Sequence, residues 1–88
     1  MIDDSTAERG GHKRLRWQCR RGMKELDQLL TRYLDGDYAV ASETDKAAFH
    51  AVLELSDPEL VGYLLQRREP ESEIIARGID IILGRHKA

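Results

Sequence analysis

The 88-residue chain reads as an all-α protein, a single small bundle of about five short helices. Two observations predict this. Every apolar run recurs at spacings of three and four residues, the period of one helix face, and no segment sustains the alternation of a half-buried strand. Between the runs lie Gly, Pro, Ser and Asp clusters of the kind that start and stop helices. A domain of this size hides only about 60–65% of the surface its unfolded chain exposes, so the core is thin and a deep substrate cavity is not expected.

Residues 1–11, closing on Gly10-Gly11, carry no periodic apolar signal and read as a flexible leader, which leaves 12–88 as the folded domain. From His12 onward Leu15, Cys19, Gly22 and Leu26 recur as one stripe, with a break or bend expected at Gly22, because glycine costs about 1 kcal/mol relative to Ala inside a helix. Leu26, Leu29, Leu30, Tyr33 and Leu34 form the next amphipathic helix, ended by Gly36 and a turn at Asp35-Gly36-Asp37. Ser42-Glu43-Thr44-Asp45 resembles a capping box with Asp in place of Glu, opening a helix that buries Ala48, Phe49, Val52 and Leu53. Ser56-Asp57-Pro58-Glu59 is a fuller start signal, with proline where no N–H is needed. The helix it opens presents Leu60, Val61, Leu64 and Leu65 and runs toward Pro70. The last helix carries Ile74, Ile75, Gly78, Ile79, Ile82 and Leu83, and Gly78 inside that stripe lets another helix approach closely.

A hydrophobic fraction of 41% and a charged fraction of 34% suit a globular protein. The lone Cys19 allows no intramolecular disulfide and no paired-thiol metal site, which points to a reducing compartment. The acidic opening residues resemble neither a secretory signal nor an Arg-rich presequence, and no run approaches the roughly 18 apolar residues of a membrane span. The expected location is the cytoplasm, with no direct membrane insertion. The net charge of −2 conceals an asymmetry: Arg9 to Lys24 holds seven Lys or Arg and no acid. One end of the molecule is therefore expected to be electropositive.

Signatures of catalysis are absent: no phosphate-binding glycine loop, no paired-cysteine ligand set and no nucleophile elbow. His12, His50 and His86 are far apart, and His50 beside Phe49 reads as a structural histidine. Cys19 lies on the apolar stripe and reads as a buried structural thiol, although Lys13 and Arg20 would lower its pKa if it were exposed. The basic run from His12 to Arg21 offers a nucleic-acid surface with Trp17 as a stacking platform, but an isoelectric point of about 5.9 lies far below that of such modules. A solvated helix face with Arg21 against Trp17 by i,i+4 cation–π contact is the preferred reading.

The string Trp17-Gln18-Cys19-Arg20-Arg21-Gly22-Met23-Lys24-Glu25-Leu26-Asp27 resembles the signature of the FAD assembly factors of succinate dehydrogenase, whose core is Arg-Gly-x-x-Glu. The similarity continues through Asp37-Tyr38, Phe49, Asp57-Pro58-Glu59-Leu60-Val61-Gly62-Tyr63-Leu64-Leu65 and Pro70, covering nearly all of 12–84. Tyr63 stands where many relatives have Trp, and Ala39-Val40-Ala41 lacks the usual Leu.

The resemblance implies a five-helix bundle, not an enzyme, that acts as an assembly factor or chaperone. It would bind the flavoprotein subunit of succinate dehydrogenase or fumarate reductase and promote covalent attachment of FAD there. It also implies partner-binding roles for Arg21, Gly22 and Glu25, with Trp17, Arg20 and Met23 beside them. Arg21 and Glu25 are expected to reach solvent, so that replacing either changes stability by less than about 1 kcal/mol. No cofactor is expected to be bound tightly, since FAD is held by the partner, and the chain is expected to be a monomer or weak dimer. An antitoxin-like protein-binding role, also attached to members of this family, remains an alternative, as does nucleic-acid binding by the basic first helix. A direct FAD carrier has no dinucleotide fingerprint behind it.

Overall fold

Three serines set the starts of three helices. In each case the hydroxyl accepts a hydrogen bond from the backbone N–H three residues on: Ser42 from Asp45 at 3.1 Å, Ser56 from Glu59 at 3.3 Å, Ser72 from Ile75 at 3.4 Å. Only Ser56 has the full reciprocal box, its own N–H donating to the Glu59 carboxylate at 3.0 Å. At Ser42 the shorter Asp45 carboxylate instead takes the Arg77 guanidinium at 2.5 Å, tying two helices together.

The computed structural model describes residues 7–85, with side-chain surroundings from Lys13 onward. The order is α1 (Ala7–Gln18), α2 (Lys24–Gly36), a 3-10 turn (Tyr38–Val40), α3 (Glu43–Leu53), α4 (Asp57–Leu60) running into a π-helical turn (Val61–Leu65), and α5 (Glu73–Leu83). No strand occurs among the described residues, and no helix there is long and apolar enough to cross a membrane. The all-helical expectation and the five-helix count hold.

The faces anticipated for α2 and α3 are buried, with Leu26, Leu30, Tyr33 and Leu34 on one and Ala48, Phe49, Val52 and Leu53 on the other, except that Leu29 on α2 is only half-buried. Phe49 sits at the centre, its ring 4.8 Å from that of Tyr33 and 5.6 Å from that of Tyr38. Against α3 lies α5, and Gly78 permits the approach. A Cβ built there would stand 2.4 Å from Val52 Cγ2 and 2.7 Å from the Ala48 carbonyl oxygen. On α5 the buried face is Gly78, Ile79, Ile81 and Ile82, so the stripe is rotated from the expected one: Ile81 is inside and Ile74 is 41% exposed.

Two boundaries differ from expectation. Helical backbone begins at Ala7, reaching back through Gly10-Gly11 into the segment read as leader, while residues 1–6 lie outside the described ones. Ala7, Glu8 and Arg9 are good helix formers, and adding residues to an existing turn is far cheaper than nucleating one. The fourth helix stops well before Pro70. The Gln66 N–H reaches the Val61 carbonyl five residues back at 3.0 Å, Arg67 turns left-handed at φ 61°, and the Arg68 N–H returns to the Gly62 carbonyl at 2.8 Å. These two bonds satisfy the Val61 and Gly62 carbonyls, and Arg67 rather than a glycine takes the left-handed position that ends the helix.

Candidate protein-binding site

The stretch that carries the Arg-Gly-x-x-Glu pattern is a loop joining α1 to α2. α1 ends at Gln18, and the N–H of Arg20 folds back to the Trp17 carbonyl at 3.1 Å. Gly22 then takes φ +81°, the left-handed region that an L side chain enters at a cost of about 1–2 kcal/mol. Nothing lies within 4 Å of the space a Gly22 Cβ would fill, so in the free chain glycine serves the turn and not a close approach. Met23 is extended at φ −122° and opens α2 without a side-chain cap. Cys19 and Leu26, both fully buried, anchor the loop at its ends, whereas Gly22 itself is exposed.

The end of α1 at Gln18 undoes one expectation: Arg21 does not lie against Trp17, and with Gly22 left-handed after it Arg21 shares neither a helix nor an ion pair with Glu25. The Arg21 guanidinium turns inward. It donates to the Leu53 carbonyl at the end of α3 and to Asp57 Oδ1 at 3.3 Å at the start of α4, with 17% of the side chain exposed. Its Nε is enclosed with no hydrogen-bond partner, and its backbone N–H donates to Asp27 Oδ1 at 2.8 Å. The expectation that Arg21 reaches solvent is therefore corrected. Arginine beside a helix C-terminus supplies donors to a carbonyl that has no partner within its own helix. Arg21→Ala removes these donors, and we expect a loss of about 1–3 kcal/mol in urea unfolding.

The other residues of the pattern face outward. Trp17 is 73% exposed and Met23 38%, and Arg20 and Glu25 are exposed as well. Arg20 sits where two open surface grooves meet, one lined with Lys13, Arg14, Arg16 and Trp17, the other with Glu25, Gln28, Leu29, Arg32 and Leu65. Arg16 pairs with Asp35 at 2.7 Å, whereas Lys13, Arg14, Arg20 and Glu25 have no ion-pair partner among the described residues. An exposed indole and thioether ringed by unpaired charge suit capture of a protein surface with acidic and apolar groups.

Among the described residues no three His, Cys, Asp or Glu side chains could share a metal ion. His50 meets the Tyr38 hydroxyl at 2.9 Å and belongs to the aromatic cluster, while the side chains of His12 and His86 lie outside the described ones. Cys19 is the buried thiol expected. Burial pushes its pKa from the usual 9.0 up to about 11, outweighing the nearby Arg16 and Arg21. Its thiolate therefore forms more readily in the unfolded chain, and stability falls as pH rises from about 9 to about 11. The thermal midpoint should drop across that range and drop less steeply in Cys19→Ala.

Sequence reasoning missed Asp27, Asp57 and the Leu53 carbonyl as the holders of Arg21. No local spacing points to Leu53 or Asp57, which lie 32 and 36 residues from Arg21.

Comparison with known proteins agrees with the signature. Residues 13–86 match the family model described as flavinator of succinate dehydrogenase. The chain is 41% identical over 73 residues to the FAD assembly factor SdhE of Pseudomonas aeruginosa, covering 83% of this chain and 87% of that protein. It is 40% identical over 75 residues to that of Idiomarina loihiensis (85% and 83%) and 38% identical over 74 residues to that of Pectobacterium atrosepticum (84% of each). No solved structure matches the chain.

Proposed function

This chain belongs to the flavinator of succinate dehydrogenase family, and we propose that it binds the flavoprotein subunit of succinate dehydrogenase, or of fumarate reductase, and promotes covalent attachment of FAD to it. Trp17, Arg20, Arg21, Gly22, Met23 and Glu25 form the partner-binding corner. The observation that carries this reading is the exposure of Trp17, Arg20, Met23 and Glu25 along the passage from α1 to α2, whose loop backbone is pinned from inside. FAD stays with the partner, since this chain has no phosphate-cradling glycine loop. The bond-forming chemistry is supplied by the flavin and its own protein. The helical bundle contributes a rigid surface, and fixing reacting groups in position lowers a barrier by up to about 7–11 kcal/mol. The chain works in the cytoplasm as a monomer.

Titration calorimetry of the purified chain against the flavoprotein subunit tests this reading directly. Glu25→Ala should weaken binding about tenfold or more, because a desolvated partner group left unpaired costs about 1–3 kcal/mol. Its thermal midpoint should hardly move, as the exposed side chain makes no hydrogen bond or ion pair among the described residues. Absence of heat and of a shift in gel filtration with the unmodified chain contradicts the reading. The chain alone should emerge from gel filtration colourless after mixing with FAD.

A further inference from the structure

We propose that Arg21 is a positioning residue: with Asp57 and Asp27 it fixes the α1–α2 loop that carries Met23 and sets Trp17 at the end of α1 beside Glu25 at the start of α2, and Arg20 supplies the cationic contact with the partner. This rests on the flavoprotein-binding reading and divides its work among residues. The two adjacent arginines have opposite surroundings. Arg21 is 17% exposed and committed to the Leu53 carbonyl and Asp57, with its Nε enclosed in protein. Arg20 is exposed, lines both open grooves and has no ion-pair partner among the described residues. Reaching a partner would cost Arg21 both of its contacts and leave the α3 carbonyl without its donor, whereas Arg20 is already there.

The loop is held from three elements at once. Asp27, on the same first turn of α2 as Glu25, accepts the Arg21 N–H, so the helix that carries Glu25 is tied to the loop backbone. The Arg21 head group ties that backbone to the corner between α3 and α4. Gly22, next in the chain, supplies the left-handed turn that lets both ties form while Met23 leaves toward solvent. Asp57 lies 36 residues away in sequence and yet bears on how the Arg-Gly turn sits. Contacts that share one network are coupled, and contacts made independently at the partner surface add.

The experiment is a double-mutant cycle in flavoprotein binding, run where circular dichroism shows every variant folded, together with the amide nuclear magnetic resonance signals of Gly22 and Met23 in the free chain. Arg21→Ala should weaken binding about tenfold and Asp57→Asn about threefold, with the double variant no weaker than Arg21→Ala alone. Arg20→Ala should weaken binding about tenfold, leave the loop signals in place and combine additively with Asp57→Asn. Both Arg21→Ala and Asp57→Asn should shift the two loop signals. If Arg21→Ala does not fold, Arg21→Lys takes its place, keeping the charge and losing the forked donation. Wild-type affinity in a folded Arg21 variant overturns the proposal. So does an Asp57→Asn chain with unchanged affinity and unchanged loop signals, because Arg21 would then act by direct contact. No binding by the unmodified chain overturns the flavoprotein reading and this proposal with it, an outcome kept apart from the others because the loop signals are read without the partner.

Discussion

Replacing Gly78 with Ala should destabilise the protein by about 1–2 kcal/mol net, which for a chain of this size lowers the thermal midpoint by roughly 5–15 °C. Two effects oppose each other. Ala in place of Gly inside a helix stabilises it by about 1 kcal/mol, and on an open helix face that gain would decide the sign. Here the new methyl would lie 2.4 Å from Val52 Cγ2 and 2.7 Å from the Ala48 carbonyl oxygen. A valine methyl can rotate away, but the carbonyl belongs to the α3 backbone, so α3 and α5 must separate. Overpacking in a rigid core costs about 1–3 kcal/mol and more where backbone must move, so the clash outweighs the propensity gain. Calorimetric melting of Gly78→Ala beside the unmodified chain checks this. Adding Val52→Ala should recover only part of the loss, because the contact with the Ala48 carbonyl remains.

Trp17→Ala should have the opposite profile: a large loss of partner binding with stability held within about 0.5 kcal/mol. The indole is 73% exposed, so truncating it removes little from the core. Tryptophans at interface centres contribute about 2 kcal/mol or more, which corresponds to about a 30-fold or greater weakening of the flavoprotein complex. Arg14 and Lys13, which line the same groove, should each matter less: replacing either should mainly slow association, an effect that shrinks as salt rises.

The contrast between Gly78 and Arg21 shows what the sequence makes legible. Gly78 interrupts a run of isoleucines at helical spacing, and a small residue on an apolar stripe signals close approach without knowledge of the neighbour. The buried faces of α2 and α3 are legible for the same reason: periodicity is local, and packing follows it. Arg21 is different. Its partners Leu53 and Asp57 lie 32 and 36 residues away, and one of them is a carbonyl that every residue possesses, so no spacing rule points to it. The local relation the sequence offers is Arg21 four residues after Trp17, and it does not form because α1 ends at Gln18. The early end of the fourth helix escaped for a related reason. A π-helical turn followed by a left-handed Arg67 leaves no compositional mark, and Pro70 was the more visible stop. Of the two side chains expected to reach solvent, Glu25 does and Arg21 does not; Trp17, Arg20 and Met23, which the family resemblance puts beside them, are exposed.

The most direct test of the central claim is the amount of covalently attached flavin on the succinate dehydrogenase flavoprotein subunit in cells lacking their own assembly factor. It is read as fluorescence of the acid-denatured band, with equal amounts of the subunit loaded. Expression of this chain should restore a fluorescent band, Trp17→Ala and Glu25→Ala at the same folded level should leave it faint, and a surface change far from the corner, such as Glu73→Ala, should leave it full. A folded, abundant, unmodified chain that restores no covalent flavin would contradict the account.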